Sequence, residues 1–415
     1  MRPPLRVGTV YDFRNTPESG MDMPSLYAAI MDQVVMLDGL GLDLVWFTEH
    51  HFLDDGYLPS WVPMAGAIAA RTKRVRLSSD VCLLPFNHPV RLAEDLAVLD
   101  NISNGRIEVG VGMGYAPHEF RGFGLPVSRR VSLTDEGIEV LRQCFTGEKF
   151  SFHGKRYDFD DVVIRPRYVQ PGGPPLWIAA MSEAGAQRAA RNDSNFLPQG
   201  ARSMVLDPWR ATLKASSRDP YNYRVGIIRS CFVTDDPERD WPAVRAAERY
   251  RGQVYRSFNK DESAAGGVSG NTREASIPQT WVVGNVEHCE ILGQPQGMVE
   301  RQQADVARQP DTSGARSDRA RHRHPRRQVA VIEEVVLGEP DEIESEPVEH
   351  DNLVHDRGVQ ARHVHARFRR VAEIVDGADA KGWTHDACFP LIRTSVPAAR
   401  PWPSPRWPRA GVIAR

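Results

Sequence analysis

Short apolar runs alternate with amphipathic segments along the first half of the chain. Residues 5–10 and 42–47 are strand-length apolar runs, and residues 25–41 between them repeat apolar side chains at helical spacing. Further strand candidates lie at 74–85, 106–112, 174–182, 194–200 and 223–233, helix candidates at 61–70, 88–106, 131–145 and 184–191, and a hairpin-like insertion near 150–159. The crossovers are too long for hairpins, so the pattern predicts parallel pairing with right-handed connections.

Seven strand and helix units in one run favour a closed barrel over an open doubly wound sheet. A barrel of eight such units typically needs about 250 residues, and the regular pattern here ends near residue 288. The sequence therefore predicts an α/β fold, a (β/α)8 TIM-type barrel over residues 5–288. Residues 249–277 turn Gly/Ser-rich after a short helical start, which fits either a flexible lid or a plain insertion.

The chain changes character after Cys289. Residues 291–415 contain 18 arginines but a single lysine, Lys381, and they show neither helical nor strand periodicity. Such a composition is typical of a disordered tail. We therefore expect residues 289–415 to be an irregular Arg/His/Pro-rich tail, disordered or translated from a shifted reading frame. The last strand and helix of the barrel would then be missing or replaced by this tail.

Bulk composition narrows the range of partners. The net charge of −2 gives no electrostatic case for nucleic acid or for a membrane surface. Five widely spaced cysteines, with no C-x-x-C pair, argue against a disulfide framework and against a zinc site, so we expect no metal. The first residues lack a signal-peptide core, and no apolar run approaches the roughly 20 residues that span a bilayer. These features predict a cytoplasmic protein.

The stretch LVWFTEHHF places three polar residues at the end of a buried strand. Glu49, His50 and His51 would lie at the carboxyl edge of the barrel, where ligands bind in this architecture. A neutral imidazole there can act as a base near pH 7. The alternative is that Glu49 or His51 only caps a turn or forms an ion pair. Adjacent side chains diverge on a strand, so at most one histidine should face the pocket.

Two other motifs follow predicted strands. The glycines of EVGVGMGY (Gly110, Gly112 and Gly114) have G-x-G-x-G spacing, which does not match a dinucleotide-binding loop and is more consistent with close approach of the backbone to a planar ligand. Ser182 stands between a strand and a helix. It can serve as an N-cap, as part of an anion site at the helix N-terminus, or as both.

The motifs EHHF, LLPFNHPVRLAEDLAVLDNISNGRIEVGVGMGY and PPLWIAAMS together resemble the bacterial luciferase-like flavin-dependent monooxygenase family. The resemblance extends from Leu5 to about Cys289. It implies a (β/α)8 barrel that uses reduced flavin mononucleotide (FMN) and O2 to oxidise a small organic substrate such as an aldehyde, ketone or terpenoid. It also implies a separate flavin reductase as partner, and a homodimer.

The resemblance assigns roles at matching positions. His50 matches the active-site histidine of the family and becomes the preferred base or stabiliser of the reactive flavin. Asp80 and Val81 match the pair that forms a non-proline cis peptide beneath the flavin ring. Ser182 matches a residue that meets the flavin phosphate, and Glu49 is expected to orient a neighbouring group in the cofactor site.

Two positions depart from luciferase in the same cofactor-binding region. Met113 stands where luciferase has an arginine that binds the phosphate, and Gly112 stands where it has a reactive cysteine. Phosphate affinity must then come from the helix that begins at Ser182 and from another cation.

Three functions remain open from the sequence. The first is an active two-component flavin monooxygenase, which the intact EHHF motif favours. The second is a non-catalytic or truncated barrel subunit, which the lost barrel closure and Met113 favour. The third is a deazaflavin-dependent dehydrogenase of the same superfamily, which would transfer hydride without consuming oxygen. Oxygen uptake separates the first from the third.

Overall fold

The computed structural model describes residues 6–16, 19–199, 202–258, 281–284 and 331–338. The proposed lid lies outside these residues from position 259 to 277, and so does most of the predicted tail. Within the described part of the chain, none of the helices is long and apolar enough to cross a membrane.

The described chain forms twelve strands and eight α-helices. The strands are β1 Arg6–Tyr11, β2 Leu44–Phe47, β3 Arg76–Ser79, β4 Cys82–Leu83, β5 Val109–Gly112, β6 Phe150–His153, β7 Asp158–Val162, β8 Leu176–Ala180, β9 Asn195–Pro198, β10 Val225–Val233, β11 Trp281–Gly284 and β12 Val331–Gly338. The helices are α1 Met23–Leu40, α2 Trp61–Arg71, α3 Pro89–Ser103, α4 Pro117–Gly122, α5 Arg130–Thr146, α6 Glu183–Arg191, α7 Arg202–Ala215 and α8 Pro237–Phe258.

The main sheet closes on itself, because its first strand, β3, and its last strand, β4, are consecutive in the chain. Its order is β3-β2-β1-β12-β10-β9-β8-β5-β4, and only two residues separate β3 from β4 in the chain. Leu77 of β3 also forms a parallel bridge with Ile107, just before β5. Since β3 and β4 are two halves of one strand, the order describes a ring of eight strands. The predicted (β/α)8-type fold is confirmed, and β6 and β7 form the expected separate hairpin.

Strand β12 corrects one expectation about the tail. No regular element was predicted after Cys289, yet residues 331–338 pair with β1 on one side and with β10 on the other. Both pairings are antiparallel, whereas the seven other barrel strands pair in parallel. The sequence VIEEVVLG is rich in β-branched residues, which favour strands. The surrounding acidic residues concealed this local signal.

The helices cover the barrel with their apolar faces. In α1, Leu26, Ile30, Val34 and Leu37 are buried as their spacing predicts, and the helix ends at Gly41 in the left-handed conformation with φ of 87°. Helix α8 is longer than expected, because it runs unbroken from residue 237 to 258 despite Pro242. Its last turns reach the carboxyl end of the barrel.

The barrel interior is filled by a small apolar cluster. Trp46 and Trp177 pack edge to face with ring centroids 5.3 Å apart, together with Val10, Leu44 and Leu197. Val81, Ala179 and Ile228 pack against this cluster and are only partly buried. They leave an apolar surface open inside the ring, next to the residues that follow β2.

Candidate functional site

The three polar residues predicted to mark the site follow β2 directly and are all buried. His50 is 8% exposed, and its Nδ1 lies 2.7 Å from Oε1 of Glu119, a fully buried carboxyl on α4. The same oxygen accepts the backbone N–H of His51 at 3.0 Å. One carboxylate oxygen therefore holds both histidines of the EHHF motif in place.

This arrangement fixes the tautomer of His50. Oε1 of Glu119 accepts a backbone N–H, so it is a hydrogen-bond acceptor, and the hydrogen of the imidazole must reside on Nδ1. In a neutral imidazole with its hydrogen on Nδ1, Nε2 carries the lone pair, and this nitrogen has no hydrogen-bond partner among the described residues. A neutral imidazole with a free Nε2 can accept a proton or a hydrogen bond from a bound ligand.

Four aromatic rings surround His50. The ring centroids of Tyr57, Tyr115, Tyr255 and Phe258 lie 4.9, 5.8, 5.8 and 5.0 Å from that of His50. Tyr255 and Phe258 come from the last turns of α8, so this helix covers one side of the site. The three tyrosine rings meet the imidazole edge to face and the Phe258 ring is tilted to it, so the imidazole lies in a largely aromatic enclosure.

The hydroxyls of Tyr57 and Tyr255 lie 3.0 Å apart within this wall. Burial raises the pKa of Tyr57 well above its ordinary value of 10, with further contributions from Tyr255 and Asp12. Burial likewise raises the pKa of Tyr255 to about 12. Both hydroxyls therefore remain protonated at neutral pH and act as hydrogen-bond donors.

His51 and Glu49 support the site from the opposite side. His51 Nε2 lies 3.1 Å from Glu49 Oε1, and the same oxygen accepts the backbone N–H of Leu83 at 3.2 Å. The two histidines thus have separate surroundings, as the alternation of a strand predicts. Glu49 is only 5% exposed. Its bonds connect the EHHF segment to β4, and its direct contact with a cofactor stays a prediction.

Asp80 and Val81 form a cis peptide bond, as the resemblance implied. The bond separates β3 from β4, and the backbone N–H of Asp80 donates to the carbonyl of Phe47 at the end of β2. Val81 is half-buried and faces Gly112 of β5, where an added Cβ would lie 2.4 Å from Val81 Cγ2. Gly112 is therefore required for packing at this point.

Ser182 is the N-cap of α6, and its hydroxyl accepts the backbone N–H of Gly185. The first residues of the helix, including Glu183, are exposed, so the N-terminus opens to the outside of the barrel mouth. Met113 follows β5, is half-buried and provides no charge. Ser182 satisfies the capping interpretation, while a phosphate contact stays a prediction.

Sequence reasoning missed several residues of the site. Glu119 lies 69 positions from His50, and the aromatic wall is supplied in part by α8, about 200 positions away. The local signal for Glu119 was weak, a carboxyl next to Phe120 in the short helix that follows β5. No metal-binding group of three His, Cys, Asp or Glu side chains occurs among the residues that the structure describes.

The residues present fit a flavin. A planar ring would find the open apolar surface of Val81, Ala179 and Ile228, and glycines at 110 and 112 allow close approach of the neighbouring strands. The exposed N-terminus of α6 offers backbone N–H groups to a phosphate.

Comparison with known proteins identifies the family. The model of the luciferase-like monooxygenase family matches residues 5–332, beyond the expected limit at Cys289. The oxygenase component of a flavin-dependent trigonelline monooxygenase from Acinetobacter baylyi is 27% identical over 41% of this chain and 48% of its own. An F420-dependent glucose-6-phosphate dehydrogenase from Amycolatopsis mediterranei is 31% identical over 43% of this chain and 55% of its own.

The chain thus spans about half the length of these two relatives. Among solved structures, a monooxygenase from Streptomyces bottropensis, RslO1, superposes with a TM-score of 0.57 at 25% identity, covering 71% of this chain and 88% of the other. With 328 residues matched by the family model, the resemblance drawn from the EHHF, glycine and PPLWIAAMS motifs is confirmed. The chain belongs to the luciferase-like monooxygenase family.

Proposed function

We propose that this chain is the oxygenase of a two-component flavin monooxygenase, which uses reduced FMN and O2 to oxidise a small organic substrate. The observation that carries the proposal is the buried His50, whose Nδ1 is occupied by Glu119 and whose Nε2 is free. Family membership supports the flavin chemistry, and the free nitrogen supplies a group for proton transfer beside it.

Each part of the site has a role in this proposal. When bound, reduced flavin supplies the electrons that activate oxygen. The apolar surface around Val81 holds the ring, and the N-terminus of α6 at Ser182 holds the phosphate. His50 Nε2 accepts a proton or a hydrogen bond at the reacting centre, while Glu119 orients the imidazole through Nδ1 and stabilises the positive charge that the ring gains with a proton.

The aromatic wall has a further role in excluding water. Tyr57, Tyr115, Tyr255 and Phe258 enclose the imidazole, and a dry site limits side reactions with water and unwanted proton transfer. A separate flavin reductase would deliver reduced FMN to this site. The proposal draws support from the Acinetobacter relative, which is named as the oxygenase component of its system.

A second candidate is a deazaflavin-dependent dehydrogenase. The 31% identity to an F420-dependent dehydrogenase favours it, and the same His50 and Glu119 arrangement could accept the proton of an alcohol. The two candidates differ in one observable, because only the monooxygenase consumes oxygen.

Oxygen uptake by the purified chain tests the choice. We expect FMN with a flavin reductase and NADH to give substrate-dependent oxygen uptake coupled to a product that carries one atom of labelled O2. Deazaflavin reduction without oxygen uptake would replace this proposal with the dehydrogenase. Binding of neither cofactor would favour the non-catalytic barrel.

The predicted change of reading frame after Cys289 determines which form of the chain should be used in the oxygen-uptake assay. We propose that residues after Cys289 come in part from a shifted reading frame, because their composition differs so sharply from that of the barrel. Resequencing the gene gives a direct answer, since an unchanged frame removes the proposal. If the frame is shifted, the restored chain is the one to assay.

A further inference from the structure

The pocket around His50 has a polar group on its β1 side, formed by Asp12 and Arg14. Both residues come directly after β1, at the same end of the barrel as the EHHF motif. The rings of Tyr57 and Tyr255, which contact His50, also face the Arg14 guanidinium, whose Cζ lies 5.2 and 5.7 Å from their centroids. The same two rings therefore border both the imidazole and this polar group.

Arg14 has an unused hydrogen-bond donor. Its side chain is 5% exposed, and its Nε donates to Asp55 Oδ2 at 2.8 Å. Its Nη2 is buried and has no hydrogen-bond partner. The ring faces of Tyr57, Tyr250 and Tyr255 stabilise the positive charge, but they do not replace an oxygen acceptor. A buried donor of a charged group without an acceptor is costly, which points to a ligand atom there.

Asp12 has unused acceptor capacity next to this donor. Its Oδ1 accepts the backbone N–H of Arg14 at 3.1 Å, and in the described chain no ion pair within 4.0 Å joins its carboxyl to a cation. Its side chain is half-buried, so part of it remains accessible. Burial raises the pKa of Asp12, against the opposing effect of the Arg14 charge.

The carboxyl of Asp55, in the same cluster, already accepts hydrogen bonds from three protein groups. Its oxygens accept Arg14 Nε, the hydroxyl of Tyr250 at 3.3 Å and the backbone N–H of Tyr57 at 3.1 Å. Asp55 therefore balances the charge of Arg14 and has little left to offer a ligand. The acceptor still available to a ligand is on Asp12, and the donor is on Arg14.

Charge balance selects the chemistry of the ligand group. An anion beside Arg14 would also face the carboxyls of Asp12 and Asp55, and a cation beside Asp12 would face the guanidinium groups of Arg14 and Arg251. A neutral group is repelled by neither the carboxyls nor the guanidinium groups, and it can accept a hydrogen bond from Arg14 and donate one to Asp12. Amides and alcohols have this property.

We propose that Asp12 and Arg14 bind a neutral amide or hydroxyl group of the substrate, with the rest of the substrate against the aromatic wall at His50. The inference rests on the proposed function and deepens it. The substrate is then a flat or cyclic compound with an amide or hydroxyl substituent, and a plain alkyl aldehyde would leave both polar groups unsatisfied.

Calorimetric titration of the purified full chain with four matched probes tests the inference. Benzamide, acetophenone, benzoate and benzylamine share one ring and differ in the polar group. We expect benzamide to bind at least about tenfold more tightly than acetophenone, since a hydrogen bond to a charged group has that effect. Benzoate and the benzylamine cation should bind more weakly than benzamide.

Two variants locate the site. Asp12→Leu should weaken benzamide binding by about tenfold and leave acetophenone binding unchanged, which also shows that this variant is folded, whereas Arg14→Met should weaken the binding of both probes, because each has a carbonyl that accepts from Arg14. The control is Asp158→Asn on the exposed β6–β7 hairpin, which should bind all probes as the parent does.

Other outcomes overturn the inference. Tightest binding of benzoate would make Arg14 an anion site, and tightest binding of benzylamine would make Asp12 a cation site. Equal binding of benzamide and acetophenone, or no binding of any probe, would mean that no polar subsite exists. Because the titration uses neither flavin nor oxygen, its result is independent of whether the chain proves to be a monooxygenase.

Discussion

Glu119 Oε1 lies 2.7 Å from His50 Nδ1 and also accepts the backbone N–H of His51 at 3.0 Å. A single buried oxygen thus sets the tautomer of one histidine and the backbone position of the next. The carboxyl belongs to α4, the short helix after β5, so the strand-end motif becomes a defined site only when two neighbouring strands are assembled in the barrel.

Glu119→Gln tests this relationship. The Oε1 position accepts two N–H groups, so the amide oxygen keeps that position, and the variant loses the negative charge that stabilises a proton gained by His50 Nε2. We expect turnover to fall by roughly 10²–10⁴-fold, the usual contribution of a general acid or base, while the protein remains folded. Steady-state oxygen uptake measures the effect. Glu139→Gln, on an exposed position of α5, is the matched control. An unchanged rate in Glu119→Gln would show that the charge of Glu119 does not contribute to turnover.

Ser182→Ala tests the phosphate site. Loss of the N-cap should destabilise the protein by about 1 kcal/mol and weaken FMN binding, because the first turn of α6 loses its order. Riboflavin lacks the phosphate, so its affinity should not change. Fluorescence titration with both flavins gives the comparison. Asp219→Ala removes the side-chain cap of the short 3-10 turn at residues 220–222, which precedes β10 and lies at the amino end of the barrel, and it should leave FMN affinity intact. Equal losses for FMN and riboflavin would contradict a phosphate contact.

Gly112→Ala tests the close packing beneath the proposed flavin ring. The added Cβ would lie 2.4 Å from Val81 Cγ2, so Val81 must move. We expect a loss of about 1–3 kcal/mol in the free energy of unfolding, and weaker flavin binding. Chemical denaturation and flavin titration measure the two effects. Gly39→Ala is the control, since nothing lies within 4 Å of that position in α1, and it should be neutral or stabilising.

Glu108→Gln tests the charged network at the opposite end of the barrel. Glu108 is buried and pairs with Arg6 and Arg76, and its second oxygen accepts from Trp177 Nε1 at 2.8 Å. Burial alone would raise its pKa, but the two guanidinium groups hold the pKa below its ordinary value of 4.5. The folded state then binds fewer protons than the unfolded chain near pH 4.5.

The stabilising effect of Glu108 is therefore complete above pH 4.5 and declines as the pH falls through its lowered value. We expect the variant to be about 3–5 kcal/mol less stable than the parent at pH 7, with a smaller difference at pH 3. Unfolding curves at the two pH values provide the measurement. A difference that does not depend on pH would contradict the ion-pair account.

The sequence was sufficient for the barrel and for the position of the EHHF segment, because both follow from local patterns. Apolar runs and helical periodicity located seven barrel strands, and the rule that ligands bind at strand carboxyl ends selected the EHHF segment, within which the family resemblance singled out His50. The cis peptide at Asp80 and Val81 was predicted only through the family resemblance, since no propensity indicates it.

Partners that act over long sequence separations could not be predicted. Glu119, Tyr255 and Phe258 contact His50 only because the barrel closes and α8 folds back over its mouth. The sequence favoured a Gly/Ser-rich segment after residue 249, and it gave little weight to the helix that continues to Phe258. Strand β12 was missed because its β-branched residues are embedded in an acidic block.

The most direct test of the central claim is anaerobic titration of the full chain with reduced FMN, followed by rapid mixing with oxygenated buffer. We predict stoichiometric flavin binding and a transient absorbance change on mixing that His50→Ala shortens or abolishes while still binding flavin. Flavin binding with an identical time course in His50→Ala would contradict the assignment of His50, and failure of the parent chain to bind reduced FMN would contradict the proposed function.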